Sequence, residues 1–454
     1  MNALLISNGR VIDGTGAAPR EESVLIEGER IAAVGVAAEK QAGGRRDLTR
    51  IDASGLTIMP GLIDGHCHIS FDEPNSNDEL FFHRRHGLAA IVAAQNARKV
   101  LQSGVTGIMD ADSIFELGVD LRDAIEAGIV DGPRISAGAY ALWTSVGGTA
   151  GRLIPDRGTM GYGKVVSGDA EIVAEVRRQI KNGADWIKVH VTGLVPRHPL
   201  RGEVKSWTRA ELKLVCDTAH ELGIPVLGHI RGADSVIDCV AAGMDLLLHA
   251  TLMDEAGLEA VVRTRTPLMP VFTFQANLAD YGANIGADPM VREMFRREIA
   301  DSAQMLRRAY DAGVPLLTGS ESGFSITPYG DWHYRELEVF VRDLGLTPLQ
   351  AIQCATQQTA FAMRMKGQVG EVLPGRLADL IVIDGDPSKD ITVLGDESRI
   401  RHVLQGGRDI DLTPARPRGD PPGWRVSTYG SRLGKDVAHG RMPPASPATP
   451  EHEP

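Results

Sequence analysis

Metal chemistry is suggested by a few polar side chains standing at the ends of apolar runs. His66 and His68 are one residue apart, and in an extended segment residues i and i+2 point to the same face, so both imidazoles can reach one ion. His229 ends the run PVLGHI and His249 falls near the end of DLLLHA; if both runs are strands of one barrel, all four imidazoles arrive at the same rim. Lys188 lies between Ile187 and Val189 in DWIKVHV, where an ammonium without a partner is costly to bury. It is either ion-paired or deprotonated by its surroundings and carboxylated by carbon dioxide, which gives an anion able to bridge two cations. Glu321, in LLTGSESG, can bind an ion and accept a proton from a water. Cys67, between the paired histidines, is expected to face away as a packed small side chain.

Such residues need a scaffold that gathers distant strand ends. Within Gly61–Met365, apolar runs alternate with helical periodicity, the pattern of parallel strands joined by crossover helices. Ile172, Val176 and Ile180 repeat every four residues and Gly183 ends their helix; Thr208 and Glu211 make a capping box with Gly223 as the stop; Ser235–Ala242 is the next helix, stopped by Gly243. The runs GLIDGHCHIS, TGIMDAD, RISAGAYAL, DWIKVHV, PVLGHI, DLLLHA, LMPVFTF and VPLLTGSE supply eight strands. Eight β/α units predict an α/β fold of the (β/α)8 TIM barrel class over residues 61–368, with catalytic groups at the carboxyl ends of the strands. Residues 1–60 and 369–413 carry short β-rich runs broken by Gly, Pro and Asp, and predict a small β-sandwich built from both ends of the chain. Residues 414–454, rich in Pro, Gly, Ser and charge, read as an extended tail, either disordered or packed as an arm on a neighbouring subunit.

Composition limits the alternatives. A chain of 454 residues with 43% hydrophobic and 24% charged residues is globular, and a formal charge of −11 argues against a nucleic-acid partner. Four dispersed cysteines fit neither a disulfide scaffold nor a zinc ribbon, which makes a reducing cytoplasm the expected compartment. No secretory leader and no membrane span are expected, because the start lacks the basic and apolar pattern and no 18 apolar residues run together. Gly158 to Lys164 has the glycine and lysine spacing of a phosphate loop, but Val165 follows where a magnesium-binding hydroxyl is required, so the stretch is expected to be a loop, one that could cover the site as a lid.

His66 and His68 after MPGLIDGH, together with Lys188, His229, His249 and a strand-eight acid, resemble the metal-dependent amidohydrolase superfamily, and more closely its imidazolonepropionase-like and Xaa-Pro dipeptidase-like branch. NGRVIDGTG, VLIEGERIAAVG, SGVTGIMD, LLLHATLMD, TPLQAIQCAT and GEVLPGRLADLIVIDGDP extend the likeness from the start of the chain to about residue 406. The resemblance implies two divalent ions, zinc by expectation. His66 and His68 would bind the more buried ion, His229 and His249 the second, and carboxylated Lys188 would bridge them. It also implies a hydroxide held between the ions, with Glu321 and His249 as catalytic residues and Glu321 also a ligand. A homo-oligomer is expected by the same analogy.

Three departures bear on substrate. Glu321 in Gly319-Ser320-Glu321-Ser322 stands where the family's GTDAG-like motif has aspartate, one methylene shorter. Thr149 in Ser145-Val146-Gly147-Gly148-Thr149 replaces the histidine of TGGHG. His229-Ile230-Arg231-Gly232 replaces HAHG, putting Arg231 on the ligand face, where its planar donor fork suits a substrate carboxylate. His190 and Tyr140 join Arg231 and Thr149 as substrate-side candidates. The reading is a binuclear hydrolase cleaving an amide or peptide C–N bond in an N-acyl amino acid, dipeptide or related small amide. Carbamate, ester or lactone hydrolysis on the same site is the alternative, followed by a non-catalytic barrel serving as an assembly module. A mononuclear deaminase is disfavoured because HxxE after the fifth-strand histidine is absent.

Overall fold

The computed structural model describes residues 3–74, 85–147, 154–158, 161–194, 203–414 and 433–441. Both ends of the chain enter one eight-stranded sheet. From one edge it runs Arg408–Asp409, Ile400–Gln405, Leu380–Ile383, Thr57–Pro60, Ala3–Val11, Arg20–Glu27 and Arg30–Val34, with Leu48–Asp52 also paired to Ala3–Val11. The two ends meet where Leu380–Ile383 pairs antiparallel with Thr57–Pro60. Alternation decides the packing. Leu4, Ile6, Val24 and Ile26 share one cluster with Ile58 and Val382, whereas Leu5, Leu25 and Ala33 face the short helix Val36–Ala42 through Ala38 and Ala42. In place of the two facing sheets expected of a sandwich, the pairing gives a single sheet with a helix on one face.

The middle of the chain is parallel α/β. Leu62–Asp64, Val105–Asp110 and Arg134–Ala137 form one sheet; Gly163–Val165, Ala141–Trp143, Ile187–His190, Val226–Arg231, Leu246–Thr251 and Leu268–Met269 form another, each in that order. Single backbone hydrogen bonds link them: Asp185 N donates to Ala137 O at 2.7 Å on one side, and on the other Leu317 N donates to Leu268 O and Gly65 N to Thr318 O, both at 2.9 Å. The helices are those their periodicity implies. Asp169–Lys181 buries Ile172 and Val176; Arg209–His220 begins with the Thr208–Glu211 capping box; Gly243, at φ 91°, ends Ala233–Ala242 in the left-handed conformation that glycine tolerates.

Several expected strands are shorter or absent. In LMPVFTF only Leu268–Met269 is extended, because Pro270 offers no N–H to a ladder, and Thr273 already opens the helix Thr273–Tyr281. VPLLTGSE makes one isolated bridge, Leu316 to Leu268, rather than a strand. Its donors are met instead by side chains, Thr318 N by Thr359 Oγ1 and Ser320 N by Asp64 Oδ1, both at 3.0 Å. The phosphate-loop lookalike, expected to be a loop, contains the short strand Gly163–Val165, parallel to Ala141–Trp143. Part of the supposed tail returns to its own chain. Leu433 is fully buried, its N–H donates to Ser325 O at 2.8 Å and its carbonyl accepts from Trp332 Nε1 at 2.9 Å. Ala438 accepts from Asn284, and His439 packs edge-on against Tyr281. The described part of this segment packs on its own chain. Among the described residues no helix is long and apolar enough to cross a membrane.

Candidate active site

The strand Leu62–Asp64 stops before the paired histidines, yet the chain stays extended enough for Cys67 to bridge Ser322. The imidazoles of His66 and His68 therefore converge, Nε2 to Nε2 at 3.1 Å, with ring centroids 4.7 Å apart. Cys67 points into the apolar core, where burial pushes its thiol well up. Glu321 Oε1 lies 3.3 Å from His68 Nε2 and 3.5 Å from His66 Nε2. The longer acid reaches because its backbone takes φ 56°, a left-handed conformation costing a non-glycine residue on the order of 1–3 kcal/mol. These three side chains offer ligand atoms within 4.8 Å of one another.

Asp64 fastens the arrangement from below. It accepts from the backbone N of His66 and of Ser320, both at 3.0 Å, from Ser320 Oγ, and from His333 Nδ1 at 2.6 Å. One buried carboxylate thus sets the register of His66 against the segment carrying Glu321.

The other side of the site is built by the strands Ile187–His190, Val226–Arg231 and Leu246–Thr251. His190 and His229 are register partners, and their rings stack at 4.8 Å. His229 meets His249 edge-on at 4.4 Å, and His249 lies 5.8 Å from His66. His249 also has a left-handed backbone, at φ 65°, and both of its ring nitrogens are buried without a hydrogen-bond partner. Leaving such groups unmade costs roughly 1–3 kcal/mol each, so the donor set fits a cation that would accept their lone pairs. Lys188 is 1% exposed, with Nζ 4.0 Å from Asp112 Oδ2.

The electrostatics follow from burial and from two carboxylates, Asp112 and Glu321. Burial lowers Lys188, against the pull of Asp112 and Glu321. Burial alone would lower His68, but Asp112 and Glu321 override it and raise it to about 10. Burial takes His190 down to about 3 and His249 well below the usual imidazole range, and it also lowers His66. Asp112 and Glu321 stay well below the usual carboxylate range despite burial, held there chiefly by Lys188 and His68 for the first and by His66 for the second.

On the substrate side, Arg231 Nη1 is 2.7 Å from Glu298 Oε1, so a substrate carboxylate would meet a guanidinium already held at that nitrogen. Tyr140 has its ring beneath Arg178, 5.8 Å away, on the helix Asp169–Lys181. Trp143, 4.9 Å from His190, is the aromatic ring of that strand nearest the imidazoles. Thr149 lies outside the described residues. Sequence reasoning did not single out Asp112, His333, Phe71 or Phe324. Phe71 stacks on His68 at 4.2 Å and Phe324 meets it edge-on at 5.8 Å. Asp112 had a signal, its place at the end of TGIMDAD; His333, in the segment after Glu321, had none.

A family model described as "Amidohydrolase family" matches residues 57–410. The chain belongs to the amidohydrolase family. Ochratoxinase of Aspergillus niger is 27% identical over 439 residues, 89% of this chain and 86% of that one. Imidazolonepropionase of Streptomyces coelicolor is 26% identical over 389 residues, 80% of this chain and 86% of its own. A solved prolidase complexed with N-methylphosphonate-L-proline superposes with a TM-score of 0.78 at 27% identity, covering 90% of this chain and 99% of that one. The likeness read from the motifs is thus borne out. This amidohydrolase is an enzyme, a hydrolase of a metal-dependent family whose relatives act on amide and peptide bonds, which sets aside the non-catalytic barrel.

Proposed function

We propose that this amidohydrolase is a binuclear metal hydrolase that cleaves the C–N bond of a small amide, an N-acyl amino acid or a dipeptide, on a closed (β/α)8 barrel. The observation that carries the reading is the meeting of two donor groups over a buried lysine. His66, His68 and Glu321 converge on one side, and His249 with its two partnerless nitrogens stands beside His229 on the other. Backbone bonds linking the two parallel sheets support closure of the barrel, and the shared eight-stranded sheet supports one composite domain from residues 1–60 and 369–413.

In this reading His66 and His68 would hold one ion and His229 and His249 the other, with Lys188, if carboxylated on Nζ, supplying a further anionic ligand. Two divalent cations, zinc by preference, would lower the pKa of a water from 15.7 toward ~7 and polarise the scissile carbonyl. Glu321 takes the proton of the attacking water at Oε1. The water oxygen bonds to the carbonyl carbon, the C–N bond breaks, and Glu321 returns the proton to the leaving nitrogen. His190 and Trp143 line the approach, Phe71 and Phe324 keep water from the His68 side, and Arg231, steadied by Glu298, receives a carboxylate of the substrate. From the sequence, Tyr140 and Thr149 are the other candidates for contact with the substrate.

The test is metal content per chain by mass spectrometry of the purified protein and of Lys188→Ala, with hydrolysis assayed on N-acyl amino acids and dipeptides. Two ions per chain, reduced in Lys188→Ala together with turnover, is the expected result. One ion or none, unchanged by Lys188→Ala, overturns the bridged centre.

A further inference from the structure

Asp112 lies two residues beyond the strand Val105–Asp110 and is buried among the strand ends of the site. Its Oδ1 is 2.7 Å from His68 Nδ1, and its Oδ2 is 3.1 Å from His190 Nε2 and 4.0 Å from Lys188 Nζ. The opposite nitrogen of His68, Nε2, is the one that faces His66 Nε2 and Glu321. The 2.7 Å approach of Asp112 Oδ1 is an ion-pair contact without hydrogen-bond alignment, and a carboxylate oxygen that close to Nδ1 favours the proton on that nitrogen and the lone pair at Nε2, so the tautomer is set from behind. His66 has nothing comparable, since its Nδ1 is buried without a partner.

We infer that Asp112 is the positioning residue of the site: one carboxylate aims His68 Nε2 at the ion and, through its second oxygen, fixes His190 beside it. This rests on the metal centre proposed above. The two oxygens tie together elements distant in sequence, the histidine pair after Leu62–Asp64 and the strand Ile187–His190, so one side chain registers both against the end of Val105–Asp110. If Lys188 is carboxylated and loses its positive charge, the N–H of His190 still donates to Asp112 Oδ2 and the His68 ring stays in contact with Oδ1, so the carboxylate does not depend on the lysine alone. Neighbouring Asp110 makes a useful contrast, because its Oδ1 accepts from the backbone N of Ile69 and contacts no imidazole nitrogen among the described hydrogen bonds.

The experiment is competition of the metal-free, full-length protein for zinc against a chromophoric chelator, with the visible spectrum of the cobalt-loaded protein as a second readout. Asp112→Asn is expected to bind zinc ~10–100-fold more weakly and to alter the cobalt spectrum, while Asp110→Asn stays within about 2-fold of wild type. Equal affinity and an unchanged spectrum in Asp112→Asn overturn the inference, as does an equal loss in Asp110→Asn, which would mark a general disturbance of the strand end. Should Asp112→Asn fail to fold, Asp112→Ser keeps a small polar group in the same slot and is read by the same criteria. A wild-type protein that takes up no zinc overturns the metal centre and this inference together; a wild-type protein that binds zinc no better than Asp112→Asn overturns this inference alone.

Discussion

The two halves of the site are held by different means. At His66, His68 and Glu321 the positions are set by the protein itself. Asp64 fastens the backbone on both sides and Asp112 holds His68 from behind. At His229 and His249 the rings are gathered by strand register and by stacking on His190, which Asp112 ties to the first half, and no carboxylate reaches His249 within hydrogen-bond distance among the described contacts. A half built on fixed acids is organised before any ion arrives. The half in which His249 keeps two buried nitrogens without a hydrogen-bond partner would be completed by an ion. The comparison assigns different consequences to the loss of each part.

The largest effect is expected at the half with the acids. Glu321→Gln keeps the shape and removes the base, and kcat should fall ~10²–10⁴-fold, measured by steady-state hydrolysis of the best substrate in the N-acyl amino acid and dipeptide panel. Glu321→Asp tests reach instead. With the backbone at φ 56°, the shorter acid falls back from both imidazoles, and about a 1 Å misplacement is worth ~10² in rate. Full activity in Glu321→Gln would remove Glu321 from the chemistry, and full activity in Glu321→Asp would remove the argument from reach.

Next in size is the fate of the ions. His249→Ala should leave a folded protein that keeps the ion of the His66–His68 half and loses the other, read as a fall from two ions per chain to one. Retention of both ions, or loss of both, would break the distinction between a preorganised half and an ion-completed one.

The same contrast explains what the sequence made legible. The histidines and Lys188 could be found because each ends or interrupts an apolar run, a local pattern. The Thr208–Glu211 capping box and the Gly243 stop were legible for the same reason. The long-range contacts of Asp64, Asp112 and His333 span 44 to 269 residues of sequence, and no spacing rule reports a contact of that range. The eighth strand was misread because its N–H groups are met by Thr359 and Asp64 side chains rather than by a ladder. The return of the tail was hidden by composition. Leu433 is one apolar residue in a polar stretch, and only the slot between Ser325 and Trp332 makes it structural.

That slot yields a smaller prediction. The segment after Glu321 carries Phe324 and Trp332, and Leu433 closes its outer side. Leu433→Asp buries an unpaired charge there and should cost about 3 kcal/mol, seen as a lower midpoint in urea unfolding with an unchanged slope. An unaffected midpoint would mean that the tail contributes nothing to holding the acid half.

A pH-dependent effect sharpens the comparison from beneath. Glu336 is fully buried and accepts at Oε2 from Thr273 N and Thr273 Oγ1, capping the helix Thr273–Tyr281. Burial raises it from its ordinary 4.5 to about 8, with the negative Asp64 adding to the rise. The acid half thus contains more carboxyl groups than it can ionise, and this one keeps its proton. Between those two values the folded state binds a proton that the unfolded state has released, so stability falls as pH rises, by up to ~1.4 kcal/mol per pH unit. Glu336→Gln is neutral in both states and lacks this slope. The difference in unfolding free energy between wild type and Glu336→Gln should therefore be small near pH 4.5 and shift progressively in favour of the variant up to pH 8. Subtracting the two curves cancels the titration of every other group that the substitution leaves alone, Asp110 included. A difference that stays constant across the window would show that Glu336 ionises in the folded protein, and with it that the pocket under Asp64 tolerates a further negative charge.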